Sequence, residues 1–133
     1  MKVINIFNNS EENLEQFEDD RGKIVDIFYK AKLDHVAFIS SVPEAERGNH
    51  YHKQTTQHML ITKGSLEYWY KKVDDSKPAK MFLAKVGDLI STPPYEIHFL
   101  KITDEGNDFI VFSEGERGGK DYESDTFRVD PII

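Results

Sequence analysis

The sequence predicts an all-β domain, an antiparallel sandwich or barrel built from short strands. Two observations carry that expectation. About eight segments rich in β-branched and aromatic residues follow one another from residue 23 onward, and clusters of Gly, Pro, Asn and Asp separate them with no helical pattern between. The length of 133 residues, with nine Phe, six Tyr and 38% hydrophobic residues, allows one core and leaves no room for two independent units. Residues 1–22 read as an N-terminal extension and residues 23–133 as the domain.

The elements follow in order. Residues 10–20 are acidic and carry Leu14 and Phe17 at helical spacing, so a short helix or an irregular lead-in is expected. The Arg21-Gly22 turn opens a strand over 23–29, and a second strand runs over 34–40. Arg47-Gly48-Asn49 is a turn signal, as are Lys63-Gly64 and the run Asp74-Asp75-Ser76-Lys77-Pro78. Strands are expected over 57–62, 65–72 and 80–85. Val86-Gly87, Pro93-Pro94 and Asp104-Glu105-Gly106-Asn107 then bound strands over 88–91, 96–103 and 108–113. The polar stretch 114–130 reads as a surface tail covering a barrel end, or as a lid or subunit contact.

Composition excludes several functions. There is no cysteine, so disulfides, thiolate zinc sites and a Cys nucleophile are ruled out, and any metal must be held by His, carboxylate or amide. Seventeen bases against 24 acids give a net charge of −7, with the bases scattered singly, which argues against nucleic acid as a partner. No apolar run approaches the ~20 residues of a membrane helix, and a cytoplasmic location is expected.

The densest chemistry is Arg47-Gly48-Asn49-His50-Tyr51-His52-Lys53. On a strand, residues two apart share a face, so His50 and His52 project together while Tyr51 faces away. Two adjacent imidazoles bind a metal or divide acid and base work. His35 and His58, each alone on a strand, read as surface or satisfied core residues. Tyr68 and Tyr70 alternate with Trp69, so the two tyrosines share a face and either pack the core or stack on a nucleotide base.

Four residues separate His52 from Gln57, six more lead to Gly64, and a later segment places Gly87, Pro93 and His98 at fixed intervals. This spacing resembles the two motifs of the cupin superfamily, which implies a single-domain β-barrel, or jelly roll, with its pocket near His50, His52, Gln57 and His98. Gln57 stands where those motifs carry a metal-binding Glu, and Tyr95 replaces a motif Gly. Gln57 either lends a neutral carbonyl oxygen to a cation or orients a histidine. With His50, His52 and His98 it forms the candidate ligand set for Zn, Ni or Fe.

A narrower resemblance is to the nucleotide-sugar cupins, both 3,4-ketoisomerases of keto-deoxy sugars and the sugar-epimerase cupin domains of capsule synthesis, through Arg47-Gly48, His50-x-His52-Lys53 and Gln57. It implies a sugar-nucleotide isomerase or epimerase that moves a proton beside a keto group and requires no cofactor. His50 and His52 are then the acid and base, Arg47 the cation for enolate or diphosphate, and Gln57 and Tyr68 substrate contacts. The bland alternative for Arg47 is a turn residue paired with Glu44 or Glu46. A nucleotide-sugar substrate and a homodimer are implied as partners. The rivals are a metal-dependent oxygenase or hydrolase on the three histidines, and a non-catalytic small-molecule binder.

Overall fold

The computed structural model describes residues 1–8, 16–115 and 123–133, which hold ten strands and no helix. The expected all-β architecture is what forms. In chain order the strands are β1 (Lys2–Asn5), β2 (Gln16–Asp19), β3 (Gly22–Val25), β4 (His35–Ser41) and β5 (Glu46–Tyr51). They continue with β6 (Thr56–Lys72), β7 (Lys80–Ala84), β8 (Asp88–Thr92), β9 (Glu96–Glu114) and β10 (Phe127–Arg128).

Two long strands organise the barrel. β6 and β9 pair antiparallel along their whole lengths, from Thr56 opposite Glu114 to Lys72 opposite Glu96. The first half of β6 also pairs β8, which pairs β1, while the second half of β9 pairs β4. That makes one layer. The second half of β6 pairs β7, and the first half of β9 pairs β5, which pairs β10, to make the other. Ile61, Leu66, Tyr68, Ile90, Ile102 and Phe109, nearly or wholly inaccessible to solvent, fill the space between the layers.

Several sequence expectations change here, for local reasons. Lys63-Gly64 and 104–107 are not hairpin turns: each sits inside a continuous strand where the register slips, so four expected strands are the halves of β6 and β9. A glycine at positive φ serves a turn and a strand corner equally well, and Gly64 (φ 69°) with Gly106 (φ 71°) makes the corner. Residues 16–19 of the acidic lead-in form β2, hydrogen-bonded to β3, rather than a helix; residues 9–15 lie outside the described residues. The strand expected over 23–29 is regular only to Val25. Beyond it Ile27 and Phe28 pack on a second, outer cluster of Ile6, Leu60 and Leu89. Residue 22, read as the boundary between extension and domain, is the first residue of β3, and β1 lies within the main sheet through β8.

Candidate active site

Three histidines meet at one end of the space between the layers. β5 supplies His50, the residue just beyond it is His52, and β9 supplies His98 in the register position opposite His50. The ring centroids of His50 lie 5.0 Å from His52 and 4.6 Å from His98, and those of His52 and His98 are 5.4 Å apart. All three are buried. Gln57, from the facing layer, is 4% exposed and places Oε1 3.3 Å from His52 Nε2. The four residues singled out from motif spacing thus form one cluster.

The turn signal Arg47-Gly48-Asn49 is instead a bulge within β5. Gly48 has φ 103° and Asn49 φ 57°, and the pairing with β9 shifts between Gly48 and His50. A Cβ on Gly48 would stand 2.6 Å from the His98 carbonyl oxygen, so only glycine lets β5 approach β9 this closely. In a regular strand Arg47 and His50 would face opposite sides. The bulge re-aims the chain, and both line a cavity of about 360 Å³ together with Gln57, His98, Met59 and Phe109.

Arg47 stands exposed at the cavity mouth, where its Nε donates to Ser41 Oγ (2.8 Å) and its Nη2 to the Ser40 carbonyl (3.3 Å). Those bonds, not an ion pair with Glu44 or Glu46, hold its guanidinium beside the opening. Across the mouth lies Arg128 of β10, paired in register with His50 and bonded to Glu123 (2.9 Å). Arg128 was not singled out from sequence, because only the pairing of β10 with β5 brings it here.

Tyr68 takes a different place from a cavity contact. It is fully buried, its ring lies parallel to that of His98 (3° between planes, centroids 6.2 Å), and its hydroxyl bonds Thr92 Oγ1 at 2.5 Å. Burial raises its phenol pKa far above the usual value, so it stays protonated and supports His98 from behind. Tyr95, in the motif glycine position, has φ 62°, and its N–H donates to the His52 carbonyl (2.7 Å). The backbone there keeps the left-handed turn that a glycine would adopt freely. His58 lies on the outer barrel face, bonded to Ser91 Oγ (2.7 Å) and Glu114 Oε2 (3.1 Å), as a satisfied polar residue.

Backbone carbonyls decide what the imidazoles can do. His52 Nδ1 lies 2.7 Å from the Asp125 carbonyl oxygen and His98 Nδ1 lies 3.3 Å from that of Glu96. A carbonyl only accepts, so in both rings Nδ1 carries the proton and donates. The neutral ring then has its lone pair on Nε2, the atom available to a proton or a metal. Asp125 is itself buried; desolvation opposes its ionisation, but hydrogen bonds from the N–H groups of Lys53, Gln54 and Thr55 and from the Thr55 hydroxyl outweigh it and hold its carboxyl below the usual pKa. Of the acidic segment 121–125 noted in the sequence, residues 121 and 122 lie outside the described residues.

A histidine cluster on the inner wall of a closed antiparallel double-layered barrel defines a protein of the cupin type. More particularly, the chain belongs to the polysaccharide biosynthesis C-terminal domain family, whose match spans residues 17–126. No curated protein matches the chain significantly. Among solved structures it is similar to the sugar 3,4-ketoisomerase QdtA from Thermoanaerobacterium thermosaccharolyticum in complex with TDP, at 20% identity and a TM-score of 0.69, over 87% of this chain and 84% of that one. A 3,4-ketoisomerase from Helicobacter canadensis gives 16% identity and a TM-score of 0.73, over 96% and 90%. The 3,5-epimerase RmlC from Legionella pneumophila, in complex with dTDP-4-keto-L-rhamnose, gives 13% and 0.67, over 87% and 69%. These likenesses establish the shared barrel.

Proposed function

We propose that this protein is a sugar-nucleotide isomerase or epimerase that transfers a proton next to the keto group of a deoxyhexose. The observation that carries the reading is the set of buried imidazoles on the wall of a cavity of about 360 Å³, a size suited to a small ligand, with His52 and His98 set to accept at Nε2. Removing the proton from carbon beside a ketone leaves an enolate, whose electron pair moves onto oxygen. Returning a proton to the neighbouring carbon gives the isomer; returning it to the opposite face of the same carbon gives the epimer. Histidine titrates near neutral pH and serves in both directions.

Charge on the enolate oxygen needs a donor. Gln57 Nε2 is buried and has no hydrogen-bond partner among the described residues, which suits it to that oxygen. Arg47 and Arg128 at the mouth oppose the negative charge of the chain locally and suit a diphosphate. The test uses TDP-4-keto-6-deoxyglucose, the sugar bound by a structurally similar ketoisomerase. In deuterated water, the protein is expected to introduce deuterium beside the ketone, read by proton NMR. A substrate that stays fully protonated through a long incubation rejects the proposal.

A second reading rests on the ligand atoms of His50, His52 and His98, which all lie within 4.8 Å of one another. Nδ1–H groups of two rings donate to carbonyls, the arrangement that orients metal-binding imidazoles, so these residues fit a divalent ion, with Gln57 Oε1 a neutral fourth donor. Such an ion would polarise an oxygen of the bound ligand. Under this reading, tag-free protein carries transition metal close to one equivalent by elemental mass spectrometry, and His98→Ala loses most of it. Equal metal in both proteins, or traces only, rejects the assignment.

Homodimer formation is proposed from β4, which pairs only with β9 among the described strands and exposes Val36 (57%) and Phe38 (64%) outward. Light scattering is expected to give twice the chain mass, and Phe38→Lys to shift it toward the monomer. A wild-type monomer at micromolar concentration ends that idea.

A further inference from the structure

Asp125 makes two kinds of contact at once. Its carboxylate accepts from the N–H groups of Lys53 (2.9 Å), Gln54 (2.9 Å) and Thr55 (2.8 Å) and from the Thr55 hydroxyl (2.8 Å). Its own carbonyl oxygen accepts from His52 Nδ1 at 2.7 Å. The side chain therefore grips the turn that immediately follows His52, while the main chain of the same residue meets the His52 ring.

That arrangement leaves little freedom. Four hydrogen bonds to a buried carboxylate fix Asp125 against the backbone of 53–55, and the backbone of 53–55 is bonded covalently to His52. The distance from ring to carbonyl is then set by a short closed loop of contacts, although 73 residues separate the two in sequence. The segment is also anchored further on. β10 pairs β5, Val129 N–H donates to the Asn49 carbonyl (2.9 Å) and Ile132 N–H to Asn49 Oδ1 (3.1 Å). Glu123, Thr126 and Arg128 on either side of Asp125 line the cavity.

We propose that Asp125 is a positioning residue that holds His52 in the Nδ1–H tautomer and so directs Nε2 of that ring at the cavity. The carboxylate does not touch the ring. It acts by placing the carbonyl that does, and the neutral imidazole without that acceptor would divide itself between two tautomers, only one of which presents a basic Nε2. The consequence for turnover rests on the proton-transfer reading; the tautomer does not.

The experiment is nitrogen-15 NMR of the imidazoles in the full chain, with the His52 signals assigned by their loss in His52→Asn. Wild type is expected to show His52 wholly as the Nδ1–H form. Asp125→Ala is expected to show both forms, and Asp125→Asn, whose amide turns an N–H toward the Lys53 N–H, a smaller but measurable share of the second. A mixed or Nε2–H His52 in wild type overturns the proposal, as does a pure Nδ1–H His52 in folded Asp125→Ala. Should that variant fail to fold, Asp125→Asn decides by the same criterion. With the keto sugar as probe, kcat of the Asp125 variants falls about 10- to 100-fold, the effect of removing an outer hydrogen-bond partner of a working histidine, while KM stays within about twofold. A shifted tautomer with no turnover of the sugar even in wild type would reject the sugar reading and leave the positioning role intact.

Discussion

His52→Asn is expected to lower keto-sugar turnover by about 10²- to 10⁴-fold, the usual share of a single general base, with His50→Asn falling in the same range. Asparagine matches imidazole in size but cannot carry a proton near neutral pH, so the variant removes the chemistry and leaves the volume. His52 should suffer most. It is 1% exposed, its Nδ1 proton is committed to the Asp125 carbonyl, and its Nε2 has Gln57 Oε1 3.3 Å away. His50 and His98 stand within 5.4 Å of it, centroid to centroid, close enough for a second ring to return the proton to another carbon or another face.

The two variants separate the outcomes. If deuterium still enters the substrate in His52→Asn but product no longer forms, His52 is the group that completes transfer and His50 or His98 removes the first proton. If neither exchange nor product survives, His52 starts the reaction. Turnover retained in both His50→Asn and His52→Asn sinks the acid–base assignment. Matching circular dichroism spectra and melting curves would tie the loss to chemistry.

Gly64→Ala should be the most damaging single methyl in the molecule. At φ 69°, Gly64 lies in the left-handed region, which costs an L residue roughly 1–2 kcal/mol. The added Cβ would also fall 2.0 Å from the carbonyl oxygen of Gly106 and 3.3 Å from the Cα of Asn107. Both obstacles are backbone, so no side chain can swing aside. β6 and β9 would have to part at the corner that joins the two layers, and their pairing on either side supports the whole barrel. A loss exceeding about 4 kcal/mol follows, large for any point substitution, and enough to lower Tm by roughly 15 °C or prevent folding.

Gly22→Ala is the internal control. Gly22 also has positive φ (134°), but nothing lies within 4 Å of its Cβ position. It should lose only the conformational share, about 1 kcal/mol. Equal melting temperatures for the two variants would mean that the corner tolerates opening, against the tight crossing described above.

Much of the site was legible because it is written at short range. His50 and His52 lie two residues apart, and Gln57, Gly87 and His98 follow at spacings that a barrel strand and its return dictate. Gly48-Asn49 was visible as a chain reversal signal; that it is a bulge within a strand depends on β9 lying alongside. Gly64 and Gly106 were misread as hairpin turns for the same reason, since positive φ in a glycine does not say whether the chain reverses or bends. β1 and β10 were missed altogether: four and two residues long, they gain their hydrogen bonds from β8 and β5, far away in sequence.

The sequence by itself determined which groups are present and which chemistry they permit: imidazoles without thiols, a neutral amide in place of a carboxylate, an arginine beside a glycine. Tertiary structure decided what each group does with its atoms. Tyr68 became a support for His98 instead of a cavity wall because both layers close over it. Arg128 came to the cavity mouth only through the pairing of β10. Which nitrogen of His52 holds the proton is set by a carbonyl 73 residues along the chain, and a tautomer follows from the position of an acceptor in space, which local spacing does not specify.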